Sequence, residues 1–238
     1  FFCKRICLLL SKVSFFNSFL SGVLSVLSDN EHDLVLALSD TDKKEIFDNS
    51  LDVDGAMVLH PQMSDWFYER LQTYRIPFLL VGRPQPKYES TVSYVDIDNV
   101  AVAYNTTKQL LDAGHRSNLI ILGNEALTIT EDHLLGIRMI YKEYGLSLEG
   151  SHILFSDYAV RTEYENVEEI LRRYPDITGI VTDSDTQALG ILNQLRMLSR
   201  RVPEDYSVVC FGGTYQTELC SPPISGASSP SYQVGVAA

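Results

Sequence analysis

The chain has 238 residues, of which 45% are hydrophobic and 21% are charged, a composition ordinary for a globular protein with a substantial core. Its formal net charge of −12 opposes direct, non-specific contact with nucleic acid or with an anionic membrane surface. No apolar run reaches the roughly 18 residues that a membrane-spanning helix needs, so no membrane partner is expected. Four cysteines without a Cys-x-x-Cys pair, and no signal peptide, favour a cytoplasmic location.

Short apolar strands alternate with amphipathic helices along most of the chain. The predicted strands are Arg5–Leu10, Asp33–Leu38, Gly55–Leu59, Phe78–Val81, Asn118–Leu122, Gly179–Val181 and Val208–Phe211. The predicted helices are Phe15–Ser28, Asp65–Tyr74, Val100–Ala113, Asp132–Tyr144, Thr162–Tyr174 and Thr186–Leu198. This alternation is typical of βαβ units around buried parallel sheets, so the predicted fold class is α/β.

Residues at the helix ends support this assignment. Asn99 is a good N-cap for the helix that follows it, and Gly114 is a natural residue just past its end. Gly145 ends the next helix in the same way, and Pro175 stops the helix that begins at Thr162.

The elements fall into two lobes. The N-terminal lobe is predicted to span residues 1–98, with residues 223–238 returning to it, and the C-terminal lobe residues 99–222. Two α/β lobes joined by several chain crossings form a hinge with a cleft between them, which is a common site for small molecules.

Several segments in the same order resemble the effector-binding core of lactose-repressor/galactose-repressor (LacI/GalR) family transcription regulators. The most specific is DSDTQALG at 183–190 followed by RRVPEDYSVVCF at 200–211. The others are SFFNSFLSGV at 14–23, VDG at 53–55, IPFLLVGR at 76–83, DAGHR at 112–116 and PPISGASSP at 222–230. The resemblance implies a type I periplasmic-binding-protein-like fold of two Rossmann-like lobes.

The same resemblance implies a function. Members of the family bind a small molecule, usually a sugar, between the lobes, act as homodimers and contact operator DNA through an N-terminal helix-turn-helix segment. That segment is absent from this chain, so DNA contact is expected only through a missing part. The alternative is a periplasmic-type solute-binding protein for transport, which shares the fold.

The candidate ligand-binding residues in the first lobe lie at the start of the first helix and at strand ends. The resemblance places Phe15 and Phe16 near the mouth of the cleft, where an aromatic ring stacks on a sugar or base, although core packing is an equal alternative. His60 and Arg83 follow the third and fourth strands, and Arg83 either binds an anionic group or forms a surface salt bridge. Asp98 at the first crossing either contacts ligand or caps a helix.

In the second lobe, two strand ends carry the candidates, because ligands bind at the carboxyl ends of parallel strands. Asp183 and Asp185 follow one strand; Asp185 contacts ligand or caps the helix, and Asp183 faces solvent or the cleft. The second strand end runs from Phe211 to Thr214.

Two departures from the family pattern stand out. The family usually has an effector-binding aspartate where this chain has Gly212, and an arginine shortly before the position of Gly136. In place of that arginine the chain offers Glu131 and His133, and a solvated His133 is favoured over one that binds a ligand hydroxyl. The usual effector of the family is therefore not assumed.

An enzymatic alternative comes from the DSDTQ sequence at 183–187, which looks like the Asp-x-Asp-x-Thr signature of haloacid-dehalogenase-type phosphatases. There the first aspartate is a nucleophile, the second a general acid, and Mg²⁺ lies between them. That motif normally follows the first strand, and few acidic residues follow later strands here. No Walker loop, GxSxG elbow, HExxH helix or metal-ligand histidine spacing occurs, so neither catalysis nor a cofactor or metal is expected.

Overall fold

The computed structural model describes residues 4–10, 16–38, 53–59, 72–73, 75–148, 152–156 and 167–238. The predicted helix Asp65–Tyr74 and the candidate residues Phe15 and His60 fall largely or wholly outside this set. Within the described residues, no helix is both long and apolar enough to cross a membrane.

Strands and helices alternate along the described chain. The strands are β1 (Lys4–Leu10), β2 (His32–Leu38), β3 (Gly55–Leu59), β4 (Phe78–Val81), β5 (Tyr94–Val95), β6 (Ser117–Leu122), β7 (His152–Phe155), β8 (Ile177–Thr182), β9 (Ser207–Gly213) and β10 (Ser225–Ser228). The helices are α1 (Phe16–Asp29), α2 (Asn99–Asp112), α3 (Thr128–Glu143), α4 (Val167–Arg173), α5 (Asp185–Met197), α6 (Tyr215–Leu219) and α7 (Ser231–Ala237).

The chain divides into two compact units. Unit 1 comprises Phe1–Ile97, Ala126–Ile129 and Pro230–Ala238, and unit 2 comprises Asp98–Glu125 and Thr130–Ser229. The sequence prediction assigned residues from 223 onward to the first lobe. In the structure β10 pairs with β9, and this strand therefore belongs to the sheet of unit 2.

Unit 1 is built on a five-stranded sheet of order β2-β1-β3-β4-β5, in which every recorded strand pair is parallel. Helices α1 and α7 pack closely beside it. A Cβ on Gly22 would overlap the carbonyl oxygen of Tyr232, and one on Gly235 would overlap that of Phe19. Glycine at these two positions therefore lets the two helix backbones touch.

Unit 2 has a five-stranded parallel sheet of order β10-β9-β8-β6-β7 with a core on each face. Because side chains alternate along a strand, Leu119 and Ile121 of β6 join one core with α4 and α5. Ile120 and Leu122 join the other core with α2 and α3. The parallel α/β sheets confirm the predicted fold class. They also place the carboxyl ends of neighbouring β8 and β9 side by side.

Several elements differ from the prediction, and three of the differences concern the segments around the second-lobe candidates. Helix α3 begins at Thr128, not at Asp132, because tertiary contacts override the poor helix propensity of the segment Thr128–Thr130. The N-cap of α2 is Asp98, not Asn99: the Asp98 carboxylate accepts a hydrogen bond from the amide of Ala101 at 2.8 Å. Strand β7 was missed, since a four-residue apolar run carries little periodic signal.

The predicted helix ends at glycine agree with the backbone. Gly114 and Gly145 have φ values of +98° and +64°, in the region that glycine enters without steric cost. The amides of both glycines also close the last turns of their helices, on Leu111 and Lys142.

Candidate functional site

The first part of the site is the turn that joins β8 to α5. Ser184 is the N-cap of α5: its hydroxyl accepts a hydrogen bond from the Gln187 amide at 3.3 Å. The Gln187 side-chain oxygen accepts in return from the amides of Ser184, at 3.2 Å, and Asp183, at 2.9 Å. This capping box satisfies the open amides of the helix start. The capping role considered for Asp185 therefore falls to Ser184.

A buried pair joins α3 to the end of β8. His133 Nδ1 lies 2.5 Å from Asp183 Oδ1, at ion-pair distance but outside hydrogen-bond angles. The Phe211 ring packs against the imidazole with ring centroids 4.6 Å apart. The three side chains thus bring α3, β8 and β9 together at the carboxyl edge of the sheet.

The burial of this pair corrects two expectations. His133 was expected to be solvated and Asp183 to face solvent or the cleft. With only 3% and 8% of their surfaces exposed, neither side chain is solvated. His133 lies on the same face of α3 as Ile137 and Ile140, and this face packs against the sheet. Their mutual contact partly compensates the burial of polar groups.

Asp185 is the most deeply buried acid of the site, with 1% of its surface exposed. Its Oδ1 lies 3.7 Å from the thiol of Cys210, and its Oδ2 has no hydrogen-bond partner. Burial raises the pKa of the Cys210 thiol, and the nearby carboxylates of Asp185 and Asp183 raise it further. The thiol therefore stays protonated and is a weak donor to Asp185.

Gly212 lies directly beside this carboxylate. A Cβ at this position would lie 3.1 Å from Asp185 Oδ1, closer than ordinary van der Waals contact. The glycine thus leaves space that the Asp185 carboxylate borders. The aspartate that the family pattern has at position 212 is missing, and the carboxylate of Asp185 lies next to this position instead.

The remaining candidates of unit 2 have other contacts. Phe211 is buried, and Thr214 caps the short helix α6 by accepting from the Gln216 amide at 3.2 Å. Asp98 caps α2, which is one of the two roles expected for it; the other was contact with the ligand. Glu131 is exposed on the first turn of α3.

Two candidate residues of unit 1, Arg83 and Phe16, have contacts within that unit. The backbone of Arg83 is fixed, because its amide donates to Asp96 Oδ2 at 3.0 Å and its carbonyl accepts from the Thr128 hydroxyl at 2.6 Å. Phe16 is half-buried and packs against the core that contains Phe19 and Val23. Core packing, the alternative considered for Phe16, is therefore one role it has.

Sequence reasoning missed two residues of the site. The capping role of Gln187 could have been predicted, because a serine followed by glutamine at the third helical position is the capping-box pattern. The position of Cys210 under Asp185 carried no sequence signal, since it depends on the pairing of β8 with β9.

The phosphatase alternative gains no support from this geometry. Asp183 is buried against His133 instead of open to a phosphoryl group. Among the described residues, no group of three or more His, Cys, Asp or Glu side chains is arranged to hold a metal ion.

The chain matches the family model for the periplasmic binding protein-like domain over residues 107–238, and it belongs to this family. It is 30% identical over 183 residues to the HTH-type transcriptional regulator CelR of Thermobifida fusca, covering 77% of this chain and 54% of CelR. It is 24% identical over 226 residues to catabolite control protein A of Staphylococcus epidermidis, covering 93% and 68%.

Solved structures agree. The structure of a transcriptional regulator CelR–cellobiose complex matches with a TM-score of 0.90 and 27% identity, covering 98% of this chain and 75% of that one. These matches confirm the LacI/GalR resemblance and the periplasmic-binding-protein-like fold. The relatives named here are transcription regulators, which favours regulation over transport. The chain spans about half the length of CelR, at 54%.

Proposed function

We propose that this chain is the effector-binding and dimerisation core of a LacI-type transcription regulator that binds a sugar-like molecule and acts in the cytoplasm. The observation that carries the proposal is the match at a TM-score of 0.90 to a regulator in complex with cellobiose. Ligand binding changes DNA affinity in such a regulator only to the extent that the ligand prefers one conformation of the protein.

The ligand is proposed to bind at the carboxyl edge of the unit 2 sheet. Phe211, His133 and Asp183 combine there an apolar ring with hydrogen-bonding groups. An aromatic face with a few polar groups around it is the usual composition of a sugar site. Arg83, Asp98, Glu131, Thr214, Phe16, Phe15 and His60 remain candidate contacts.

Operator DNA is proposed to be contacted outside these 238 residues. Their net charge of −12 opposes the phosphate backbone, whose attraction to basic groups dominates DNA affinity.

A thermal-shift screen over neutral mono- and disaccharides, cellobiose included, tests the proposal. A ligand at 100 times its Kd adds about 2.7 kcal/mol to the stability, so a true effector raises the Tm in proportion to the logarithm of its concentration. Isothermal titration calorimetry then compares the wild type with Phe211→Leu, which is expected to bind more weakly, and with the exposed control Leu135→Gln. Binding that Phe211→Leu leaves unchanged contradicts the proposed site.

A homodimer is proposed through the face formed by α5 and the loop 200–205 that follows it. A groove there is lined by Leu189, Leu192 and Pro222, with Arg196 and Arg201 at its sides. Two large apolar side chains, Met197 and Leu219, are 71% and 80% exposed at the ends of α5 and α6. Exposed apolar surface of this kind is typical of an interaction site.

Light scattering after size-exclusion chromatography tests the dimer. The wild type is expected at the mass of two chains, and Leu219→Glu at the mass of one, because a buried unpaired carboxylate opposes association. Met139→Glu, on the exposed face of α3, is the matched control and is expected to remain dimeric. A monomeric wild type at micromolar concentration contradicts this part of the proposal.

A further inference from the structure

The Asp185 carboxylate lies in the first turn of α5 but makes few hydrogen bonds within the fold. Ser184 and Gln187 cap the helix in its place, Oδ1 meets only the Cys210 thiol at 3.7 Å among the contacts seen, and Oδ2 has no hydrogen-bond partner. A buried carboxylate with so little hydrogen bonding is costly to the folded state. A group that weakens the fold in this way is typical of a functional position.

Charge compensation distinguishes the two aspartates that follow β8. Asp183 has the imidazole of His133 at 2.5 Å. Asp185 has no Lys, Arg or His within ion-pair distance among the described residues, although it is 1% exposed. The Asp185 carboxylate is therefore buried without a cationic partner among the described residues.

Gly212 lies beside the Asp185 carboxylate. It is half-exposed and has no side chain, and the space where its Cβ would be lies 3.1 Å from Oδ1. A small ligand group bound beside Gly212 would therefore lie near the Asp185 carboxylate of α5.

We propose that Asp185 binds a protonated amine of the effector beside Gly212, so that the effector is an amino-bearing sugar. The inference rests on the proposed sugar site. A carboxylate is an acceptor without donors, and an ammonium group is a donor without acceptors, so the two match fully. An ammonium group also neutralises the buried charge, which a sugar hydroxyl does not.

Matched ligand pairs test the inference on the 238-residue chain. Calorimetry compares D-glucose with D-glucosamine, and cellobiose with the β-1,4-linked glucosamine dimer; N-acetylglucosamine keeps the nitrogen but removes the charge. The wild type is expected to bind the amine about tenfold more tightly than its neutral or acetylated partner, the effect of one charge-assisted hydrogen bond. Asp185→Asn is expected to bind all of them equally, whereas the exposed control Asp176→Asn keeps the preference.

The Tm of unliganded Asp185→Asn is a second readout that needs no ligand. Removal of an uncompensated buried charge is expected to leave the Tm unchanged or raise it. A marked fall in Tm shows that the carboxylate stabilises the fold and overturns the inference. Neutral sugars that bind as well as amines, or an amine preference that survives in Asp185→Asn, also overturn it but leave the proposed function standing. If no sugar of either kind binds, both the inference and the proposed sugar effector are wrong.

Discussion

The two ends of the unit 2 sheet carry different kinds of polar groups. At the amino edge, the amide of Asn118 donates to the Tyr141 hydroxyl at 2.6 Å, and His115 Nδ1 lies 2.8 Å from the Thr178 hydroxyl. At the carboxyl edge, His133 and Asp183 meet at a poor angle, and one oxygen of Asp185 has no hydrogen bond.

This difference indicates that the amino edge of the sheet stabilises the fold, whereas the carboxyl edge is suited to binding a ligand. At the amino edge, the hydrogen bond from Asn118 to Tyr141 holds strand β6 to helix α3. At the carboxyl edge, the ionisable side chains of His133, Asp183 and Asp185 are buried, and Oδ2 of Asp185 has no hydrogen bond. A ligand gains affinity there by supplying the missing partner. The contrast gives four predictions.

The largest effect is expected for His133→Leu at the carboxyl edge. This change leaves the Asp183 carboxylate buried beside an apolar side chain and is expected to lower the free energy of unfolding by about 3–4 kcal/mol in urea denaturation. The double variant His133→Leu/Asp183→Leu is expected to recover most of that loss, because neither member of the pair remains buried without the other. A double variant less stable than His133→Leu contradicts this account of the pair.

Asn118→Ala at the amino edge is expected to cost about 2–3 kcal/mol, because it removes the donor to a buried tyrosine hydroxyl and leaves a small cavity. Urea denaturation measures the change, and the exposed asparagine variant Asn105→Ala serves as control. Ligand binding is expected to be unaffected by Asn118→Ala. A loss of sugar affinity in this variant at full folding would erase the distinction between the two edges.

Gly212→Ala is expected to cost about 1 kcal/mol, because its methyl group presses on Asp185 Oδ1. In an Asp185→Ala background the same change is expected to cost less, and a double-mutant cycle measures the difference. Equal costs in both backgrounds would show that the two residues do not share the space beside the strand end.

The smallest effect concerns His115, whose pKa is lowered by burial and by the neighbouring Arg116. A lowered pKa in the folded state means that the unfolded chain binds more protons, so stability falls as the pH falls below the ordinary histidine pKa of about 6.5. His115→Gln is expected to show a shallower decline of Tm on acidification than the wild type. Parallel Tm curves for the two proteins across that range would refute the role of His115.

Much of the fold was predictable because it depends on local patterns. The strand Gly55–Leu59 and the strand Phe78–Val81 were predicted with the bounds that the structure has, since both are apolar runs set between turn residues. Short elements such as α6 and β7 were missed, because they have too few residues to show a period.

The candidate site was predictable in position and only partly in its chemistry. Parallel topology alone places Asp183 and Phe211 at neighbouring strand ends, and the structure brings them together around His133. The burial of His133 was not predicted, because it depends on tertiary contacts with Asp183 and Phe211 at the strand ends.

The sequence by itself determined the α/β alternation, the family resemblance and the absence of an aspartate at 212, because each is a property of residue order. The tertiary structure decided that the carboxylate of Asp185 lies beside Gly212, where the family pattern has an aspartate. Strand pairing of β8 with β9 and a capping box made by Ser184 and Gln187 leave the Asp185 carboxylate buried beside Gly212 with an oxygen unbound. Such an arrangement depends on contacts between residues 25 and more positions apart, which local propensity does not encode.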